Sequence, residues 1–201
     1  MIQKILTEME VFAKGKNIPI ALPTTRDFLK NLCKEKKPKK ILEIGMAIGY
    51  SASNMLLSCD AQITCCEASR PNIILAKQNF EKLGLENRVN IVEGDCLKTL
   101  PSLVGQKFDL IFLDGPKGFY PQILKLLLPL LDDGGVLVAD NVGFRGMVSK
   151  NNEITEKRFI KTVDALKMFL SDLQNNSNLK TEVHFEIGDG ITISTWRKKW
   201  I

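Results

Sequence analysis

Side chains that carry oxygen follow two apolar runs of the chain at the points where those runs end. Asp114 comes directly after the run 108–113, and Asp140 and Asn141 follow the run 136–139. If both runs are parallel strands of one sheet, their carboxyl ends lie at the edge where such sheets bind ligands. Two carboxylates and one carboxamide suit a hard cation such as Mg²⁺, which takes oxygen ligands and few carboxylates. The three side chains therefore indicate a metal site, although Asp114 and Asn141 could instead cap helices.

Lys117 lies three residues after Asp114, so a turn at this point would bring its ammonium group close to such a cation. A neighbouring positive charge lowers the pKa of a lysine, and a neutral lysine can accept a proton from a reacting hydroxyl group. Asp114 and Lys117 are therefore the predicted catalytic residues of a metal-assisted reaction at a hydroxyl oxygen. A lysine that is simply solvated is the alternative interpretation.

A second group of residues is the glycine-rich stretch 41–51, which reads Ile-Leu-Glu-Ile-Gly-Met-Ala-Ile-Gly-Tyr-Ser. It predicts a buried strand, a turn at Gly45 and Gly49, and a helix with Ser51 in its first turn, where a nucleotide-like ligand can approach the backbone. The spacing is neither the dinucleotide fingerprint nor a P-loop, because no Lys-Ser/Thr pair follows the second glycine. The stretch therefore favours a nucleoside with little or no phosphate, such as S-adenosylmethionine, over a generic turn between strand and helix.

Two further acidic residues end predicted strands beside this turn. Glu67 lies 18 residues after Gly49, close to the offset of about 20 residues at which an acid accepts hydrogen bonds from ribose hydroxyls. Asp95 could accept a hydrogen bond from an adenine amino group, although Gly-Asp after a strand is also a common turn. The predicted cofactor-binding residues are Glu43, Gly45, Gly49, Ser51, Glu67, Asp95 and Asp114.

The elements that must position these residues alternate along the chain. Strands are predicted at the run beginning at Ile41 and over 62–67, 88–93, 108–113 and 136–139. Helices are predicted over 50–58, 71–83 and 154–174, and a further helix follows Asp114 and runs through Leu130. Five strand–helix alternations predict a doubly wound parallel sheet. Segments 181–187 and 190–196, joined by Gly188-Asp189-Gly190, predict an antiparallel hairpin at the edge. The expected fold is α/β and Rossmann-like, with a mostly parallel seven-stranded sheet.

The first 37 residues are predicted to form a helical cover over a core that spans 38–201, within a single domain of 1–201. Residues 1–14 have the apolar spacing of an amphipathic helix, and Thr24 or Thr25 could cap a second helix that ends near Lys36. The two helices could cover the active site or form a dimer contact, and the sequence does not decide between these roles.

Composition is that of an ordinary globular protein, with 44% hydrophobic and 25% charged residues among 201. No apolar run reaches the roughly 18 residues that a membrane span needs, and the first residues lack a signal-peptide core, so a cytoplasmic protein is expected. Five cysteines without a C-x-x-C pair, and the single histidine His184, indicate buried thiols in a reducing compartment and argue against a zinc site or a histidine-dependent triad.

The charge balance is compatible with an RNA partner but does not require one. Lys and Arg number 28 and Asp and Glu 23, which gives a net charge of +5. The densest basic cluster, which precedes the first strand, is either a solvated helix end or a patch that contacts phosphates. Its members are Lys34, Lys36, Lys37, Lys39 and Lys40.

Together the motifs resemble those of the class I S-adenosylmethionine-dependent, metal-dependent O-methyltransferases, a group that includes catechol and caffeoyl-CoA O-methyltransferases. The motifs are Glu43-x-Gly45-x-x-x-Gly49-Tyr50-Ser51, Glu67, Asp114-Gly115-Pro116-Lys117 and Ala139-Asp140-Asn141-Val142. Within that group the chain most resembles the bacterial tRNA 5-hydroxyuridine methyltransferases. This second likeness is carried by Ile18-Pro19-Ile20, 38–45, 140–148, Asn175-Asn176 and 187–191.

One stretch departs from the pattern of that branch. The branch usually has Asp-Ala-Ala-Lys-Gly-Gln-Tyr where this chain has Asp114-Gly115-Pro116-Lys117-Gly118-Phe119-Tyr120. The Gly-Pro pair stiffens the turn, and Phe119 makes one wall of the expected site more apolar. The Asp and the Lys are retained, so the departure bears on the substrate and leaves the expected chemistry in place.

The resemblance implies methyl transfer from a sulfonium to an oxygen, with Mg²⁺ held by Asp114, Asp140 and Asn141 and the proton taken by Lys117. The acceptor needs two adjacent oxygens. In tRNA, 5-hydroxyuridine at the wobble position offers them and would become 5-methoxyuridine; a small catechol offers them as well. Arg145 is a candidate contact to a phosphate or the anticodon, or else part of a structural salt bridge. The likeness also implies a homodimer, and a non-catalytic protein that binds S-adenosylmethionine is the remaining alternative.

Overall fold

Alternating apolar strands and amphipathic helices build the described part of the chain, which is residues 1–148 and 157–197 of the computed structural model. The chain divides into two compact units, one of residues Met1–Thr99 and one from Leu100 onward. The helices of the first unit are α1 (Ile2–Lys16), α2 (Pro23–Lys36), α3 (Tyr50–Leu56), α4 (Arg70–Leu83) and the short α5 (Cys96–Thr99). Its strands are β1 (Lys40–Ile44), β2 (Gln62–Glu67) and β3 (Val89–Glu93), and they pair in parallel.

The second unit continues the alternation and then reverses strand direction. Its strands are β4 (Phe108–Leu113), β5 (Leu131–Ala139), β6 (Leu179–His184) and β7 (Ile191–Trp196), and its helices are α6 (Tyr120–Leu127) and α7 (Ile160–Gln174). β4 and β5 are parallel, whereas β7 is antiparallel to both β5 and β6. The predicted C-terminal hairpin is therefore present.

The seven strands follow the order β3-β2-β1-β4-β5-β7-β6. This confirms the predicted α/β fold, a mostly parallel seven-stranded sheet with antiparallel strands at its C-terminal end. β1 has four buried residues after Lys40, because a central parallel strand is covered on both faces. β3, at the edge of the order, is only half-buried.

Two predicted boundaries were wrong, each for a local reason. β5 begins at Leu131 and includes the expected turn at Gly134-Gly135, because the register shifts from Phe108↔Leu131 to Leu110↔Val136 and the extra residues form a bulge. α2 begins at Pro23 after Leu22, without a threonine cap, since proline already has the backbone angle of a first helical residue. α7 begins at Ile160, and the earlier part of the predicted helix, 154–156, lies outside the described residues.

Helix α1 covers the glycine turn of the same unit. Leu6, Met9 and Ala13 are buried in one cluster with Ile48 and Tyr50, which flank the second glycine of the turn. Burial of a leucine or methionine side chain contributes about 2 kcal/mol, so this contact holds the helix firmly on the turn. No helix among the described residues combines the length and the apolar character needed to cross a bilayer.

Candidate active site

The glycine turn has the left-handed backbone that its two glycines permit. Gly45 has a φ of 92° and Gly49, the residue that precedes α3, a φ of 80°, and other residues adopt such angles only at a cost. The amide of Gly45 donates to the carbonyl of Cys66 at 3.0 Å, which ties the turn to the end of β2. A side chain at Gly49 would bring its Cβ within 2.6 Å of the Phe80 ring, so α4 packs directly against this backbone.

Glu43 lies beneath the turn and has no exposed surface. Its carboxylate accepts hydrogen bonds from the hydroxyl of Ser51 at 2.5 Å and from the thiol of Cys65 at 3.3 Å. Burial, together with the charge of Glu43, raises the pKa of Cys65 well above its usual range. The structure therefore places Glu43 and Ser51, both predicted to contact a cofactor, as a buried pair that braces the turn from inside.

Glu67 joins the end of β2 to the glycine turn. Its two carboxylate oxygens accept the backbone N–H groups of Ala47 and Ser69, each at 2.8 Å. Ala47 itself has a left-handed φ of 48°. Each carboxylate oxygen can still accept a second hydrogen bond, so the half-buried Glu67 is fixed in place and able to accept from a ligand's hydroxyl groups.

Asp95 is exposed and acts in a local turn. Its carboxylate accepts the N–H of Leu97 at 3.0 Å, and its carbonyl accepts the N–H groups of Lys98 and Thr99. These contacts are those of a Gly-Asp turn, which is the structural interpretation that the sequence left open for Asp95. Asp95 also lies two residues after the end of β3, where the sequence analysis expected a contact to an adenine amino group.

Tyr50 links the N-terminal helices to the first turn of α3, a role that the sequence did not reveal. Its hydroxyl donates to the carboxylate of Glu10 in α1 and accepts from Arg26 of α2 at 3.1 Å, while Arg26 also bonds Glu10 at 3.0 Å. The ring is 2% exposed. The cover is thus bonded to the residue that directly follows the second glycine of the turn.

Asp114 and Asp140, in the second unit, stand side by side at the ends of β4 and β5. Leu113 and Ala139 are register partners in the parallel pair, so the residue after each occupies the same edge. Asp140 is 1% exposed and accepts the N–H of Asn141 at 2.8 Å. The structure therefore brings the predicted metal ligands to one place.

Lys117 pairs with Asp114, its Nζ lying 2.6 Å from the carboxylate. Burial raises the pKa of Asp114, and the charge of Lys117 opposes that rise. The residue that precedes α6 is Phe119, and no side chain caps this helix, so Asp114 does not have the capping role considered for it. Asn141, with a left-handed φ of 57°, lies in a turn and begins no helix.

The donor set suits a hard cation. Two adjacent carboxylates, that of Asp140 buried and that of Asp114 partly buried, lie beside one ammonium group and leave net negative charge that a divalent cation would offset. The described residues contain no group of three or more His, Cys, Asp or Glu that could hold a metal. The predicted set has two carboxylates and the carboxamide of Asn141, so protein ligands would be few and water would complete the coordination.

Tyr120 holds the two strand ends together from below. Its buried hydroxyl lies 3.1 Å from the carbonyl of Leu113 and 3.0 Å from that of Asp140, and its ring packs edge-on against Phe169. In the sequence, Tyr120 is a single tyrosine three residues after Lys117. That spacing alone does not indicate that its hydroxyl links two strand ends.

The two tyrosines of the chain offer a matched pair of variants. We expect Tyr50→Phe to weaken binding of S-adenosylhomocysteine about threefold to tenfold, because one lost hydrogen-bonding group is worth about 1 kcal/mol. We expect Tyr120→Phe to leave that affinity unchanged and to lower kcat instead, because it loosens the strand ends that carry Asp114 and Asp140. Calorimetric titration and steady-state kinetics measure the two effects, and equal losses of affinity in both variants would contradict the assignment.

The loop after Asn141 is held by the hairpin turn of the same unit. The carboxylate of Asp189 accepts the N–H of Arg145 at 2.8 and 2.9 Å, and its carbonyl accepts the N–H of Gly143 at 2.8 Å. Residues 144–146 all have positive φ. This anchored loop presents the exposed guanidinium of Arg145 5.4 Å from the ring of Phe159.

A second guanidinium, that of Arg158, lies 4.6 Å from the same ring, and Phe144 packs against it edge-on. We name Arg145, Arg158, Phe144 and Phe159 the arginine–aromatic patch. The arginine–aromatic patch thus places two guanidinium groups near one aromatic ring, and it begins three residues after Asn141.

The remaining candidates lie elsewhere. The basic cluster is exposed at the end of α2 and the amino end of β1, opposite the strand end that carries Gly45, and Lys36 and Lys39 pair with Glu35 and Asp60. These ion pairs and this exposure favour the interpretation of the basic cluster as a solvated helix end.

The single histidine, His184, lies on β6 and contacts Glu186 at 2.8 Å.

Comparison with known proteins shows the family to which the chain belongs. A family model described as O-methyltransferase matches residues 3–198. Caffeoyl-CoA O-methyltransferase 1 of Arabidopsis thaliana is 30% identical over 197 residues, covering 92% of this chain and 74% of the relative. A Staphylococcus aureus structure provisionally named caffeoyl-CoA O-methyltransferase has a TM-score of 0.88 and 30% identity, covering 95% of this chain and 91% of that one. The SAH-bound methyltransferase of Podospora anserina has a TM-score of 0.82 and 27% identity, covering 96% and 88%.

Proposed function

The chain belongs to the O-methyltransferase family, and from this premise we propose that it is an S-adenosylmethionine- and Mg²⁺-dependent enzyme that methylates 5-hydroxyuridine at the wobble position of tRNA. When bound, S-adenosylmethionine supplies the methyl group and Mg²⁺ lowers the pKa of the acceptor hydroxyl. The chain's own residues would bind the cofactor, align the acceptor oxygen with the methyl group and take the proton of the acceptor hydroxyl.

The glycine turn and Glu67 support the cofactor assignment. Gly45 and Gly49 present backbone without side chains, and Glu67 is held by two amides with lone pairs remaining for hydroxyl groups. The Podospora anserina relative carries SAH, the product of the same cofactor. Glu67 would accept the ribose hydroxyls, while Glu43 and Ser51 would keep the turn in shape.

The strand ends of the second unit support the acceptor chemistry. Asp114, Asp140 and Asn141 would hold the metal ion, and the pairing of Leu113 with Ala139 keeps the two aspartates adjacent. Lys117 would take the acceptor's proton at Nζ, which requires the neutral amine, since an ammonium group already carries its full set of protons. Alignment of the reacting atoms supplies much of the remaining acceleration.

The observation that carries the choice of tRNA is the arginine–aromatic patch. Nucleotides combine negative phosphates with flat bases, and proteins bind unpaired RNA by stacking bases on aromatic rings or guanidinium planes and by pairing phosphates with arginine. Arg145 and Arg158 on the ring of Phe159 offer both properties on one surface.

The second candidate is a small catechol-like acceptor, and the names of the relatives favour it. Several similar proteins are called caffeoyl-CoA O-methyltransferases, whose named substrate carries vicinal hydroxyl groups and phosphates. Phe119, half-exposed two residues after Lys117, would add an apolar wall beside such a ring.

The deciding experiment is methyl transfer from labelled S-adenosylmethionine to total tRNA and to a panel of catechols, with and without Mg²⁺. We expect Mg²⁺-dependent label in tRNA that carries 5-hydroxyuridine, and accumulation of that nucleoside in cells lacking the protein. Arg145→Ala should lower transfer to tRNA about tenfold, since a hydrogen bond to a charged group contributes about 1.5 kcal/mol or more, while Lys39→Ala in the basic cluster should not. Turnover of free catechols, with no label transferred to tRNA, would support the second candidate instead.

The homodimer and the cytoplasmic location stay predictions. Exposed Val11 and Phe12 on α1 support a contact through the N-terminal helices, and light scattering and cell fractionation would measure the two properties.

A further inference from the structure

Asp189 lies in the turn between β6 and β7, and its carboxylate binds a backbone group of a distant segment. Both carboxylate oxygens lie within hydrogen-bonding distance of the Arg145 N–H, at 2.8 and 2.9 Å. A charged acceptor makes a stronger hydrogen bond than a neutral one. An aspartate between Gly188 and Gly190 is an ordinary turn sequence, and formation of that turn does not by itself require a bond to Arg145.

The segment that Asp189 holds has an uncommon backbone. Phe144 and Arg145 have φ angles of 43° and 59°, and Gly146 follows with 75°. Residues other than glycine rarely adopt these left-handed angles, and then mostly as single residues. Such strain persists where the surrounding structure imposes it, and it is concentrated at functional sites. The bond to Asp189 acts on Arg145, the middle residue of this strained run.

The main chain of the hairpin turn holds the part of the loop that lies next to Asn141. The N–H of Val142 donates to the carbonyl of Gly190 at 2.9 Å. The N–H of Gly143 donates to the carbonyl of Asp189 at 2.8 Å, and a Cβ at Gly143 would lie 2.7 Å from that oxygen. These contacts use backbone atoms, which a substitution of the Asp189 side chain retains. The carboxylate therefore has a task separate from that of the main chain of the turn.

We propose that Asp189 is a positioning residue for the acceptor, because it fixes the backbone from which Arg145 extends its guanidinium. That guanidinium lies 5.4 Å from the ring of Phe159, within the arginine–aromatic patch. Asp189 needs no contact of its own with the substrate. The inference rests on the proposed function, in which Arg145 contacts tRNA, and it adds a residue of the hairpin turn to the acceptor site.

The effect of Asp189 is expected in the affinity for RNA. A loop that is ordered before binding lowers the conformational entropy that binding has to overcome. Without the carboxylate, the backbone at Arg145 can leave the left-handed region, and binding of the RNA must then order it again. The chemical step should be spared, because the backbone bonds beside Asn141 remain.

Filter binding of tRNA to the intact protein, together with steady-state kinetics, tests the proposal. We expect Asp189→Ala to raise the Kd and the KM for tRNA about tenfold, as loss of a hydrogen bond to a charged group does. The kcat at saturating tRNA should stay within about threefold of the wild-type value. Asp189→Asn, whose amide oxygen can still accept the Arg145 N–H, should have an intermediate Kd. Asp172→Ala, an exposed position on α7, is the control and should change neither constant.

An unchanged Kd in Asp189→Ala, or a kcat that falls as far as the affinity, would overturn the positioning role. Thermal melts of each variant verify that the protein under test is folded. If Arg145→Ala weakens tRNA binding while Asp189→Ala does not, only this inference fails. If Arg145→Ala binds tRNA as the wild type does, the proposed tRNA contact fails and the inference fails with it.

A double-mutant cycle shows whether Asp189 acts through Arg145. In the Arg145→Ala background, Asp189→Ala should raise the Kd by no more than about twofold, because the side chain that it positions is already absent. The full tenfold loss in that background would show that Asp189 affects RNA binding independently of Arg145, which contradicts the proposal.

Discussion

Asp140→Asn is expected to lower kcat/KM about a hundredfold to a thousandfold, the range found when one preorganised group that stabilises a transition state is removed. The change keeps the shape of a side chain that is 1% exposed, and the new amide oxygen can still accept the N–H of Asn141. What is lost is one of the two adjacent negative charges. The Mg²⁺ concentration for half-maximal activity should rise as well, and affinity for S-adenosylhomocysteine should stay within about threefold of wild type, because the affected carboxylate is not among the predicted cofactor contacts.

Asp132→Asn is the matched control, since it makes the same chemical change at an exposed position near the amino end of the same strand, β5. It should leave kcat/KM unchanged. Steady-state kinetics over a Mg²⁺ series, with thermal melts of both variants, separates lost metal binding from lost folding. Activity of Asp140→Asn above a tenth of the wild-type value would refute the metal role of the strand ends.

Gly49→Ala should destabilise the chain by about 3 kcal/mol, the sum of a left-handed φ of 80° and a steric clash. The clash arises because the added Cβ would lie 2.6 Å from one carbon of the Phe80 ring and 2.9 Å from a second, and this ring is buried. Urea denaturation measures the loss. Binding of S-adenosylhomocysteine should weaken in parallel, since the shift moves the backbone of the turn.

Gly84→Ala is the control that measures only the free-energy cost of a left-handed backbone at a residue other than glycine. Gly84 ends α4 with a φ of +67°, and a Cβ there would meet nothing within 4 Å, so the expected loss is about 1 kcal/mol. Phe80→Leu, which removes the two clashing ring carbons, should make the Gly49→Ala substitution less costly than in the wild-type background. Equal losses for Gly49→Ala and Gly84→Ala would show that packing against Phe80 is unimportant.

The sequence by itself determined the alternation of strands and helices, the glycine turn and the acidic residues at the strand ends. These features follow from local rules: apolar runs mark buried strands, and the residue after each run must lie at the sheet edge where ligands bind. Asp114, Asp140 and Asn141 could be grouped before the register of β4 and β5 was known, because parallel strands place equivalent ends together. Family membership of the chain rests on the match of the family model to residues 3–198.

Only the tertiary structure decided which side chains meet. Glu43 was predicted to contact a cofactor, and the structure shows that its buried carboxylate accepts hydrogen bonds from Ser51 and Cys65. Tyr50 contacts Glu10, 40 residues away, and Arg145 contacts Asp189, 44 residues away. Periodicity along a chain specifies which residues are buried, but partners separated by tens of residues are chosen by how the elements pack, and no local pattern encodes that choice.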